Sequence, residues 1–136
     1  MAEESLIIKP GRRVVAPFFA SLAASTNATY VSRRILTPFV IESIRAKFAP
    51  GVENLLLLRF FVSPDNSAPT AQPITGFNIF SQLGQVDYIT GDDDVIEIAP
   101  QVEVMNAGMF LKIFAENSDT FIHTVNAQIT IKVLDL

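Results

Sequence analysis

Three consecutive carboxylates follow a glycine at Gly91-Asp92-Asp93-Asp94. Carboxylate oxygens suit Ca²⁺, a hard cation that takes roughly six to eight oxygen ligands. The spacing does not suit it, because an EF-hand loop sets its acids at alternating positions and closes on a glutamate. Tyr88-Ile89-Thr90 before and Val95-Ile96 after frame a hairpin turn, in which Asp and Gly serve the backbone. Asp65 and Asp119 would add ligands only if their loops met the triplet. No metal site is expected there.

His123 is the single histidine. A catalytic imidazole needs a nucleophile to serve and a carboxylate to orient it. Asp119 is near enough in sequence to orient it, but no Gly-x-Ser-x-Gly nucleophile elbow exists. Glu97 and Glu103 are the nearest approach to the paired carboxylates of glycoside chemistry. Such pairs arise by chance in any acidic domain. Neither the dinucleotide nor the Walker glycine pattern is present. With no cysteine there is no thiolate site and no disulfide. The expectation is a chain that is not an enzyme and needs no cofactor.

The side chains that remain informative are apolar. Eleven phenylalanines stand against two tyrosines and no tryptophan. Sugar-binding platforms favour rings with a polar handle, which phenylalanine lacks. Phe18, Phe19, Phe60, Phe61, Phe110 and Phe114 therefore read as core or subunit interface. Neighbours on a strand point to opposite sides, so Phe60 and Phe61 place one ring on each face.

The elements that must position these residues are strands. From Val31 onward, short runs rich in Val, Ile, Phe and Thr alternate with Gly, Pro, Asn and Asp clusters. Residues 122–133 alternate strictly, with Thr124, Asn126, Gln128, Thr130 and Lys132 opposite Val125, Ala127, Ile129, Ile131 and Val133. That pattern predicts one wet and one buried face. Residues 109–116 form the preceding strand, joined to it by a hairpin loop at Asn117-Ser118-Asp119-Thr120. Residues 39–48 predict a strand that Pro50-Gly51 closes, and 53–63 follow at hairpin distance. The latter run is apolar on both sides, with Leu55, Leu57 and Phe61 on one parity. It is central, or its outer face meets another chain or an arm. Three prolines make 64–76 a long surface loop. Short strands are expected near 86–90, 95–98 and 102–105. Val14–Ala24 fits a strand or a short helix, since periodicity does not decide.

These elements predict one antiparallel β-sandwich of about eight strands, jelly-roll or Greek-key in type, over residues 29–136. Residues 1–28 are expected to form an N-terminal arm or the first strands. Glu3, Glu4 and Pro17 argue against a secretory signal there. No apolar run is long enough for a membrane-spanning helix, and no membrane partner is expected.

The net charge of −4 is split, at +4 over residues 1–50 and −8 over residues 51–136. A mostly acidic body argues against nucleic acid as a partner. The basic segment instead fits the acidic body of a second copy. The expected function is structural: self-association into a homo-oligomer, a trimer or larger, within a larger assembly. A phage or virus particle, with the chain as decoration, capsid or tail component, is the expected setting by fold-level analogy; otherwise the chain belongs in the cytoplasm. The interface residues are expected to be Arg12, Arg13, Val14, Val15, Phe18, Phe19, Leu22, Leu55, Leu57 and Phe61. The alternative is a carbohydrate- or Ca²⁺-dependent binding module using loops 64–76, 91–94 and 117–120, against which the absence of tryptophan speaks.

Overall fold

The computed structural model describes residues 12–134. Nine strands and one helical turn follow in chain order: β1 (Arg13–Leu22), β2 (Thr26–Val31), β3 (Phe39–Phe48), β4 (Leu56–Ser63), β5 (Phe77–Asn78), α1 (Ile79–Gln82), β6 (Asp94–Ile98), β7 (Val102–Val104), β8 (Phe110–Asn117) and β9 (His123–Val133). They form two antiparallel sheets that pack together. The first has the order β1-β9-β3-β6, with β7 also on β3, and the second has the order β2-β8-β4-β5. Strands β6 and β7 share one lane, pairing with opposite ends of β3. Nine strands thus fill eight lanes.

The pairing has a simple logic. Strands β1 and β9, β2 and β8, β3 and β6/β7, and β4 and β5 pair as successive rungs of one long folded ribbon. Strand β9 also pairs with β3, and β8 with β4, which joins the rungs into the two sheets. The core lies between the layers, where Phe39, Ile41, Ile44 and Phe48 of one sheet meet Leu56, Leu58, Phe60 and Ile113 of the other. Burying each of these side chains gains roughly 1.5–3 kcal/mol. Phe60 and Phe80 stack edge to face with ring centroids 5.6 Å apart, which seats α1 on the core.

Strict alternation fails in β3, where Phe39 and Ile41 are buried but so are Ile44, Ala46 and Phe48. A bulge between Ile41 and Ser43 resolves this, because one extra residue flips the parity so that both halves face the core.

Three sequence expectations need correction. The hairpins at 49–53, 91–94 and 117–120 are crossovers, since β3 and β4, β5 and β6, and β8 and β9 lie in different sheets. Alternation reveals a strand's faces but not its partner. Residues 86–90 form no strand beyond a single bridge between Ile89 and Leu58, and the turn α1 was not foreseen. Finally, the sandwich does not begin at residue 29: from Arg13 onward the N-terminal segment forms its first strands, one of the two forms expected, and not an arm. Strand β1 pairs with β9 along its whole length, and Phe18 and Leu22 are buried in the core. The first part of the segment expected as arm or first strands, residues 1–11, lies outside the described residues.

Candidate interaction surface

The polar candidates resolve into structural roles. Asp92 Oδ1 accepts the backbone N–H groups of Gly51, at 2.9 Å, and Glu53, at 3.2 Å, so it closes the 49–54 crossover. Through that crossover the 91–94 and 117–120 loops reach the same end of the sandwich, since Asn54 N–H donates to Gly91 and Ser118 N–H to Leu55. Among the described residues no three His, Cys, Asp or Glu side chains gather as a metal set. His123 Nε2 lies 2.7 Å from Asp119 Oδ2. That hydrogen bond holds the Asp119 carboxyl below its usual value, against a smaller opposing effect of burial. Among the described residues no hydroxyl bonds to the imidazole, so the pair has the orienting half of a catalytic arrangement alone. Glu97 lies opposite Arg45 and Glu103 opposite Val40, five residues apart along β3. That is about 16 Å at strand spacing, too far for paired glycosidase carboxylates.

Sequence reasoning missed one buried cation. Lys112 shares its strand parity with Phe110 and Phe114, and its side chain is 0% exposed. Its Nζ donates to Asp65 Oδ1 at 2.8 Å, Thr75 Oγ1 at 3.0 Å and Ser67 Oγ at 3.1 Å. Three donors thus meet three acceptors, which is what a buried ammonium requires. Lys112, followed by the Ser67 and Thr75 hydroxyls, holds the Asp65 carboxyl well below the usual carboxylate range. The signal was present: a lone lysine among apolar residues, with an Asp-x-Ser turn in the facing loop.

This cluster ties loop 64–76 across the outer face of the second sheet. Ile74 of the loop packs with Phe61 and Phe114, and Thr29 Oγ1 donates to the carbonyl of Pro69. Phe60 and Phe61 do take opposite faces, but both are buried within one chain. The loop supplies the cover that a second subunit was expected to supply, so Phe61 offers no free interface. Leu57 is half-buried on the same face, and half-buried Leu55 lies just before β4.

The outer face of the first sheet has no such cover among the described residues. Register places Val15, Pro17 and Phe19 of β1 beside Thr130, Gln128 and Asn126 of β9. Val15 is 48% and Phe19 77% exposed. Their neighbours Val14, Phe18 and Leu22 face inward, so only alternate members of the expected β1 set are available. Arg12 is exposed, and Arg13 reaches across to Glu42 with its Nε at 2.6 Å.

Among the described residues strand β1 is also the end of its sheet. The Val133 N–H donates to the Arg12 carbonyl, which fixes the hydrogen-bonding parity of the ladder. Pro17 therefore turns its missing N–H to the free edge, the place where a strand tolerates proline. Beside this edge runs a groove of about 440 Å³ lined by Val14, Val15, Pro17, Val31, Arg33 and Arg34. On the opposite edge, a groove of about 550 Å³ is lined by Phe80, Leu83, Val86, Tyr88, Ile98 and Pro100.

Charge follows the same division. Residues 5–41 hold five lysines and arginines and no acid, whereas residues 60–111 hold seven acids and no lysine or arginine. Arg12, Arg13, Arg33 and Arg34 lie at the β1/β2 edge, while Asp87, Asp93, Asp94 and Glu97 lie at the β6 edge. Compared with known proteins, the chain matches no family model and no curated relative.

Proposed function

We propose that this chain is a non-enzymatic structural protein that self-associates into a homo-oligomer and forms part of a larger assembly, a phage or virus particle in which it serves as decoration, capsid or tail component. The observation that carries the first step is the uncovered outer face and free edge of the first sheet, with Phe19 and Val15 in water. Exposed apolar side chains grouped along one strand mark a contact surface. On this reading the interface comprises Arg12, Arg13, Val15 and Phe19, while Val14, Phe18 and Leu22 support it from inside. Phe61 no longer belongs to it.

The particle setting rests on architecture. On this reading the two-sheet ribbon is a jelly roll, a form that recurs in viral capsid and lectin domains. Fold alone does not fix function, so this step is analogy. The self-association step is tested by light scattering at micromolar concentration, in low and high salt. A mass well above the 14.9 kDa of one chain is expected; a single-chain mass in both salts rejects it.

A further inference from the structure

Resting on that homo-oligomer reading, we propose that the copies associate head to tail, the basic β1/β2 edge of one against the acidic α1/β6 edge of the next. The two edges are opposite ends of the sandwich, because β1 and β6 terminate one sheet and β2 and β5 the other. Each carries an apolar groove. Exposed charge is mainly basic at the first edge and mainly acidic at the second, where Arg45 and Lys47 of β3 stand beside β6 and Arg59 pairs with Asp87. On the basic edge Val15, 48% exposed, lines the groove with Arg33 and Arg34, and Phe19, 77% exposed, projects into water farther along β1. On the acidic edge Val86 is 66% and Leu83 39% exposed, in a groove that Ile98 of β6 also lines; Asp87 follows Val86 in sequence, and Asp94 and Glu97 lie on β6. The apolar parts supply affinity and the charges supply steering and register.

A symmetric contact of β1 against β1 is disfavoured on two grounds. It would oppose Arg12, Arg13, Arg33 and Arg34 with their own copies, and like charges across an interface are costly. It would also join two strand edges that each lack a donor at Pro17. A contact between different surfaces repeats around a ring when the rotation closes, and otherwise extends as a filament. The occupant of each groove is therefore a second copy of this chain.

The test uses the full chain and two charge-reversed variants, Arg12→Glu with Arg33→Glu, and Asp94→Lys with Glu97→Lys. Masses are read by light scattering, and folding by circular dichroism. The wild type is expected to be multimeric, each variant alone to fall to single-chain mass, and an equimolar mixture to recover the multimer, because the two reversed edges complement one another. If the acidic-edge variant keeps the wild-type mass, the head-to-tail contact is wrong and the homo-oligomer reading stands. If the wild type itself is a single chain, that reading fails first. Should either variant unfold, Phe19→Ser and Val86→Ser decide: both side chains are exposed, and loss of association in only one of them overturns the pairing of edges.

Discussion

The two sheets of this sandwich treat their outer faces differently. The second sheet carries Phe61, Phe110 and Phe114 outward and buries all three. It does so with its own chain, a proline-rich loop pinned by Lys112. The first sheet carries Val15, Pro17 and Phe19 outward along β1 and leaves them in water. The described residues cover one apolar face with a loop and leave the other bare, which distinguishes stability from association. The covered face serves the fold, and the bare face is available to a partner.

The sharpest way to break this contrast is to truncate one ring on each face. Phe114→Ala removes a fully buried ring and is expected to cost about 3–5 kcal/mol. Phe19→Ala on the bare face is expected to change stability by no more than about 0.5 kcal/mol. Chemical denaturation of both variants reads the difference, and equal losses would remove the distinction.

A smaller effect is expected at the hinge of the covering loop. Gly76 has φ +100°, and a Cβ there would sit 2.0 Å from the Val62 carbonyl oxygen. Gly76→Ala is expected to cost at least the roughly 1–3 kcal/mol of a strained backbone position. It should also expose the Phe61 cluster, which thermal melting with a hydrophobic dye would reveal. An unchanged melt would mean that the loop contributes little.

Acid should then loosen the covered face in preference to the bare one. Asp65 is held below its ordinary value by Lys112, Ser67 and Thr75. In the folded state it therefore binds fewer protons than in the unfolded chain near that value. Its stabilising contribution is complete above the unfolded value, about 3.9, and is lost as pH falls from there toward the lower folded value. Asp119, lowered by His123, acts in the same direction. Asp65→Asn should flatten the decline in melting temperature below about pH 4. A wild-type slope in that variant would show that other carboxylates carry the effect.

Much of the fold was legible because alternation is a local signal. Strand β9 follows its predicted faces residue by residue, and loop 64–76 was marked by its prolines. Pairing was not legible: the linkers after β3 and β8 look like hairpin loops, yet each crosses between sheets. Over Val14–Ala24 periodicity left strand and helix open, and nothing local told that Phe18 would meet this chain's own core. The error at Phe61 has the same origin. A two-faced apolar strand needs cover, and sequence alone does not say whether a loop or a neighbour provides it. The pairing of Lys112 was not legible, because its acceptors lie 37 to 47 residues away.

The central claim is that the bare face and edge of the first sheet form the self-association surface. Sedimentation equilibrium of the wild type beside a Val15→Ser, Phe19→Ser variant tests it most directly, with melting temperatures recorded on the same samples. The account predicts a multimer for the wild type, a mass of 14.9 kDa for the variant, and closely similar melts when both are diluted to single chains. A variant that assembles as the wild type does, or a wild type that sediments as a single chain, would contradict it.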